Sequence, residues 1–318
     1  MKDKRMANRH NGLVAAVFSP VETSGKLALD RIPTIVSHLI DNGIGGLLVG
    51  GLTGEYASFS DQERMALHEA YVNAANNQIP IIAHVGHDVL ESAKELARHA
   101  ESIGADEILT SCPRLFKPAS EEALCDWCAP ISAAAPNTPM FFYNSPVISG
   151  SGYAMTKYIE FAKQRIPTFR GIKFSAKDLY EMNLCLQMND DACSIYFGCD
   201  EMLLAALAMG ANAATGSTYN YAAPLFCQLL DHYEAGEMSE AQACMSRINQ
   251  MISLLHEYGG GIIAGKAIMK MVGVDCGPTR LPLKNLSDAE YNALQDALTS
   301  IGFFDWLKTA NTSIAAHT

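Results

Sequence analysis

The stretch IPTIVSHLIDNGIGGLLVGGLTGEYASFSDQE, running from Ile32 to Glu63, decides the fold, because it holds a helix, a strand, a turn and the start of a second helix in succession. Ile32, Ile35, Val36, Leu39 and Ile40 fall at i, i+3, i+4, i+7 and i+8 and make a single apolar face on a helix. Gly46-Leu47-Leu48-Val49-Gly50 is a short apolar run bounded by glycines, which reads as a strand. Ser60 and Glu63 have the S-x-x-E spacing of a capping box, in which each side chain satisfies an orphan backbone N–H at the start of the next helix.

Working outward, the same alternation continues from residue 13 to about residue 235. The predicted strands are Leu13–Ser19, Gly46–Gly50, Ile81–His84, Glu107–Ser111, Pro139–Tyr143, Gly171–Phe174, Ser194–Gly198 and Ala213–Gly216, with further helices around Leu96, Leu124, Leu184 and Leu204. Strands that alternate with helices form a parallel sheet with crossover helices. Eight such units are the count of an α/β fold of the (β/α)8 TIM-barrel type, which takes about 250 residues. Beyond it, Met238, Ala241, Met245, Ile248, Ile252 and Leu255 alternate steps of three and four, the face of a helix packed on the barrel. The expected organisation is a barrel over residues 12–235 and a helical extension over 236–308, with no Pro- or Ser-rich linker between them.

Composition narrows the function. With 318 residues, 49% of them hydrophobic and 18% charged, the chain can bury a large core. A formal net charge of −11 argues against nucleic acid as a partner, since such surfaces concentrate Lys and Arg. No apolar run reaches the length of a membrane-spanning helix, so no membrane partner is expected. Lys2, Lys4, Arg5 and Arg9 ahead of Leu13–Phe18 imitate a short secretory signal, but Pro20 and Glu22 cut the apolar segment, and residues 13–19 read better as the first strand. Nine cysteines, an odd number in a chain of this size, favour a reducing compartment, and a cytoplasmic location is expected. Cys125 and Cys128 form a CxxC without a second pair, and Trp127 between them reads as ordinary helix. His84 and His87 lack a third ligand, so no metal site is expected.

The C-terminal ends of barrel strands share one face, and that face carries the chemistry of such folds. The unusual polar residues fall there: strand two exits into Gly50-Gly51-Leu52-Thr53-Gly54-Glu55, strand five into Tyr143, strand six into Lys173 and Ser175, strand seven into Gly198-Cys199-Asp200-Glu201, and strand eight into Gly216-Ser217-Thr218. The glycine-rich turn is either a tight strand exit or an anion cradle, in which bared N–H groups and the Thr53 hydroxyl hold a carboxylate. Asp200 and Glu201 serve equally as helix caps or as ligand-binding groups. Tyr143 is either a packing aromatic or a reactive one. Lys173 is the most informative, because an amine at the end of a buried strand loses its proton more easily and becomes a nucleophile near neutral pH.

With GGLTGE, YNSP, GIKFS, the GCDE turn and GSTYN in order, followed by Gly277-Pro278-Thr279-Arg280-Leu281-Pro282-Leu283, the chain resembles the N-acetylneuraminate lyase and dihydrodipicolinate synthase superfamily of Schiff-base aldolases over residues 12 to 285. Within it the likeness is greatest to the N-acetylneuraminate lyases. The resemblance implies that Lys173 forms an imine with a 2-oxo acid, that Tyr143 is the general acid/base, and that Thr53, with Gly51 and Leu52 in its turn, holds the carboxylate. It further implies that Gly198, Asp200, Glu201 and Ser217 bind the sugar's polyhydroxy chain, with Ser175 where the lyases have a small hydroxyl residue. No cofactor is implied, and a homo-oligomer, dimer or tetramer, is. The expected reaction is cleavage of a 2-oxo acid sugar, most simply N-acetylneuraminate, to pyruvate and N-acetylmannosamine.

Three positions depart from the pattern. Ile148 stands where the synthases usually carry an arginine, which argues against synthase activity. Leu52 and Leu115 stand where a hydroxyl residue and an aromatic, often tyrosine, usually lie near the reactive tyrosine. Without those hydroxyls, proton transfer needs a substrate hydroxyl or water. The same departures keep two other readings open: an aldolase or hydratase-aldolase of the superfamily acting on another aldehyde, such as a 2-keto-3-deoxy-sugar-acid aldolase, and a ligand-binding descendant without turnover.

Overall fold

Eight short parallel strands pair in sequence order and close on themselves: β1 (Leu13–Ala16), β2 (Gly46–Val49), β3 (Ile81–His84), β4 (Glu107–Ser111), β5 (Met140–Asn144), β6 (Phe169–Phe174), β7 (Ser194–Phe197) and β8 (Ala214–Gly216). Closure is made by β8 pairing back onto β1, with Leu13 opposite Ala214 and Ala15 opposite Gly216. The computed structural model describes residues 12–188 and 193–315, with the backbone alone at 311–315. The basic residues Lys2, Lys4, Arg5 and Arg9 lie outside the described residues. The architecture is the expected (β/α)8 barrel.

Helices α1 (Ile32–Asp41), α2 (Asp61–Ala75), α3 (Leu90–Ser102), α4 (Glu121–Ala133), the single turn α5 (Pro146–Ser149), α6 (Met155–Arg165), α7 (Leu179–Leu186) and α8 (Leu203–Ala208) connect successive strands. In α1 the buried residues are Ile32, Ile35, Val36 and Leu39, with Ile40 packed at the margin, the face that the spacing predicts. The capping box at α2 is formed: Glu63 N donates to Ser60 Oγ at 3.3 Å and Ser60 N donates to Glu63 Oε2 at 2.9 Å. After β8 come α9 (Tyr219–Glu234), α10 (Met238–Glu257), α11 (Gly260–Met271), α12 (Asp288–Ser300) and α13 (Phe303–Ala315). On α10 the residues Ala241, Met245, Ile248, Ile252 and Leu255 are buried as expected, whereas Met238, in the first turn, is 40% exposed.

β3 and β4 keep the bounds that the sequence pattern gives them, and the other six strands shift by one to three residues. β1 ends at Ala16 because the chain leaves the sheet to anchor elsewhere: the Phe18 carbonyl accepts from Tyr71 Oη and Ser19 Oγ donates to the Gly54 carbonyl, both at 2.7 Å. β2 ends before Gly50, whose φ of +67° is left-handed. A side chain there would also collide, since a Cβ on Gly50 would stand 2.8 Å from His68 Nε2.

Two apolar regions hold the barrel. Val14, Ala16, Leu48, Ile82, Leu109, Phe141 and Tyr196 fill its interior, and a larger cluster joins the outer strand faces to the helices. The filled interior makes a floor, so side chains one step further along the strands are raised to the C-terminal mouth. Tyr143 and Lys173 are two of these, and they face each other as paired residues of β5 and β6.

Candidate active site at the barrel mouth

A cavity of about 190 Å³ opens at the C-terminal end of the strands. Its floor is Ala16, Leu48 and Leu109, and its walls are Gly51, Leu52, Thr53, Tyr143, Lys173, Gly198, Asp200, Glu201, Thr215, Gly216 and Ser217. Nine of the ten residues expected to form the site, Ser175 being the exception, meet here from five different strand ends. Ser175 stands just outside, its hydroxyl packed against the backbone of Gly198.

Lys173 is 7% exposed, and its Nζ lies 4.8 Å from the centroid of the Tyr143 ring. Burial brings its ammonium down to about 8, opposed by the Asp200 carboxylate. A sizeable fraction of the amine is therefore neutral at physiological pH. Burial also raises the Tyr143 phenol above its ordinary value, with the Ser145 and Ser175 hydroxyls pulling weakly the other way, so Tyr143 stands as a phenol at neutral pH. By strict geometry Ser175 Oγ makes no hydrogen bond among the described residues, so its effect on the phenol is one of proximity.

The turn after β2 is braced from outside the cavity. Glu55 N donates to the Leu52 carbonyl at 2.9 Å, and Glu55 itself has a left-handed φ of 56°. Its carboxylate is fully buried and pairs with Lys266 Nζ of α11 at 2.7 Å, while Arg280 N donates to its other oxygen at 2.9 Å. Lys266 also donates to the Pro278 carbonyl at 2.8 Å. This buried pair holds Gly51, Leu52 and Thr53 against the cavity. Sequence reading passed over it, although Lys266 carries the signal that marked Lys173, a lysine amid the apolar run Ile262–Met269.

Across the mouth, Asp200 is 8% exposed, and its Oδ2 accepts from Thr218 N at 3.0 Å and Thr218 Oγ1 at 2.6 Å. The helix α8 shows no side-chain cap, so Asp200 ties the exits of β7 and β8 together instead of capping. Its other oxygen lies over Gly216, where a Cβ would come within 1.8 Å of it. Gly198 is needed for a similar reason: a Cβ there would be 1.9 Å from Ser175 Oγ and 3.2 Å from Lys173 Cε. Glu201 sits at the rim, 3.3 Å from Lys177 Nζ. Thr215, which sequence reading did not single out, lines the cavity with a buried hydroxyl that has no hydrogen-bond partner among the described residues. A threonine inside a strand carries no outward sign of such a role.

Leu52 does lie beside Tyr143, but Leu115 is 76% exposed and does not line the cavity. His84 and His87 diverge: His84 is buried beneath the β2 turn with the Arg64 guanidinium donating to its carbonyl at 2.8 Å, whereas His87 Nε2 faces Asp61 at 3.5 Å near the surface. Cys125 and Cys128 are buried in α4, with burial raising both thiols.

The sequence profile of the Dihydrodipicolinate synthetase family matches residues 9–301. N-acetylneuraminate lyase of Mus musculus is 36% identical over 297 residues, covering 92% of each chain. N-acetylneuraminate lyase A of Xenopus laevis is 37% identical over 278 residues, covering 86% of this chain and 91% of its own. Among solved structures, the N-acetylneuraminate lyase of Proteus mirabilis superposes with a TM-score of 0.89 at 35% identity, over 93% of this chain and all of its own. With a strand-end lysine and tyrosine at the mouth of a closed eight-stranded barrel, and a profile match that spans the barrel and the added helices through α12, the chain belongs to the dihydrodipicolinate synthetase family.

Proposed function

We propose that the protein is a class I, lysine Schiff-base aldolase that cleaves N-acetylneuraminate to pyruvate and N-acetylmannosamine. The observation that carries this reading is the buried Lys173 amine, brought down to about 8 and set 4.8 Å from the Tyr143 ring. In this reading the neutral amine attacks the C2 ketone and water leaves, giving a protonated imine. Thr53 and the N–H groups of the Gly51-Leu52-Thr53 turn hold the substrate carboxylate. Tyr143 takes the proton of the C4 hydroxyl as the C3–C4 bond breaks, and the electron pair flows into an enamine. Protonation at C3 and hydrolysis of the imine release pyruvate and regenerate Lys173. The polyhydroxy chain runs along Gly198, Asp200, Glu201 and Ser217, with the Ser175 hydroxyl just outside, against Gly198. The catalytic barrel over residues 12–235 and the helical extension over 236–308 act as one unit in this account.

The lyase relatives at 36% and 37% identity support the choice of sugar. Leu52, 37% exposed on the cavity wall, favours a second reading, an aldolase of the same class for a less polar aldehyde. We also take the enzyme to be cytoplasmic, which suits nine buried thiols, and to be a dimer or tetramer, which suits the exposed Phe116 and Val147. Borohydride reduction in the presence of pyruvate should leave a mass increment on the peptide carrying Lys173, and its absence refutes the mechanism. A panel of aldehydes with pyruvate separates the two substrate readings, N-acetylmannosamine being preferred under the first.

A further inference from the structure

Tyr143 is the wall between two cavities. Behind it, away from the main pocket, lies a chamber of about 20 Å³ bounded by Tyr143, Tyr56, His84, Ser111, Ser145 and Leu52. A space of that size, with polar walls, takes one water molecule. Two of its polar wall residues lie close together, since a Cβ placed on the neighbouring Gly86 would come within 2.3 Å of Ser111 Oγ and 2.9 Å of His84 Nε2. Tyr56 is held firmly at its edge. Its ring lies 4.6 Å from that of His84, and the guanidiniums of Arg64 and Arg114 stand 5.3 and 5.4 Å from its centroid. Unlike His84, which is 1% exposed, Tyr56 is only half-buried and reaches from the chamber toward the surface.

The chemistry needs a group in this place. A tyrosine held as a phenol acts as a base only if its own proton leaves while the substrate's arrives. Leu52 and Leu115 supply no hydroxyl for that purpose. We propose that Tyr56, through a water molecule in this chamber, is the relay that carries protons between Tyr143 and solvent, an inference that rests on the aldolase reading. As the C3–C4 bond breaks, the C4 hydroxyl proton passes to the Tyr143 oxygen and the phenol's own proton passes to the chamber water. That water gives a proton to Tyr56, and Tyr56 gives its own to bulk water. Protonation of the enamine at C3 runs the same chain in reverse, so no net proton is gained or lost. Tyr56 touches no substrate and is a positioning residue for the proton of Tyr143.

Tyr56→Phe removes the hydroxyl and keeps the ring that stacks on His84. The half-reaction to follow is exchange of the pyruvate methyl hydrogens in D2O by NMR, which needs Lys173 and Tyr143 but no aldehyde. Exchange in the variant should slow by roughly tenfold or more, less than the about 10²–10⁴-fold of a direct acid–base group, and should recover as a small proton-carrying buffer is added. Borohydride trapping of pyruvate on Lys173 should persist, showing an intact site. A variant that exchanges at the wild-type rate, or slows without responding to buffer, overturns the relay alone. Wild-type protein that neither traps nor exchanges pyruvate overturns the aldolase reading, and the relay with it.

Discussion

At Lys173 a single side chain carries two physical demands, since it must be buried enough to shed its proton and near enough to solvent to meet a ketone. Burial, opposed by Asp200, leaves it at about 8, so the neutral fraction falls as pH drops below that value. The acid limb of kcat/KM is therefore expected near pH 8, with rates falling toward about tenfold per pH unit below it. Because the Asp200 charge raises the lysine, Asp200→Asn should move this limb to lower pH even while it weakens sugar binding. An unmoved limb in a pH–rate profile of the variant would show that the carboxylate does not act on the amine. Gly198→Ala is a steric test of the same residue: its Cβ would meet Ser175 Oγ at 1.9 Å and Lys173 Cε at 3.2 Å, so imine trapping should drop sharply without loss of the fold. Lys173 and Tyr143 were legible because each is a polar side chain ending an apolar run. Thr215 and Tyr56 were not, because a threonine in a strand and an aromatic after a turn have ordinary structural uses, and only the closure of the barrel brings them to the two cavities.

Strands and helices were read from the alternation of short apolar runs and helical faces, and all eight strands lie within three residues of where that pattern puts them. What the pattern misses is the bracing between elements distant in sequence. Glu55, at the end of the β2 turn, and Lys266, on α11, are 0% and 3% exposed at the side chain and 2.7 Å apart. Removing one partner of a buried pair strands the other charge, at a cost of about 3–5 kcal/mol. Lys266→Met should therefore lower the denaturation midpoint and, by loosening the Gly51–Thr53 turn, raise KM for pyruvate. A variant of wild-type stability would mean the pair is not needed to seat the turn. A second brace joins α2 to the segment after α11, where the Arg280 guanidinium grips Glu63 with bonds of 3.0 and 2.6 Å. That bond holds the Glu63 carboxyl at about 2, below the ordinary 4.5. The folded form thus binds this proton less tightly than the unfolded chain, and the contribution is complete above pH 4.5 and disappears as pH falls through about 2. Glu63→Gln should be less stable than wild type at pH 6, and the difference measured by chemical denaturation should shrink between those two values.

Over the whole molecule, all nine cysteines are buried, spread from Cys112 beside the barrel mouth through α4, α7, α9 and α10 to Cys276 beyond α11. Burial raises the thiols of eight of them, Cys185, Cys227 and Cys276 to about 12, and so keeps these eight in the protonated, unreactive form. Cys199 is also raised to about 12 although it lies between Gly198 and Asp200, so closeness to the site does not activate it. The CxxC of Cys125 and Cys128 follows the same rule, since its helix turns both sulfurs inward. A chain built this way depends on its fold to protect its thiols. The native protein should therefore react slowly with an aromatic disulfide reagent, at a rate set by global unfolding and slowed further by pyruvate binding. In guanidinium the same reagent should titrate nine thiols promptly. Two or more thiols reacting within mixing time under native conditions would mean that the helical shell opens locally and that the cysteines are not sealed by the barrel as a unit. A rate unchanged by pyruvate would instead sever the link between the filled site and the stability of the whole.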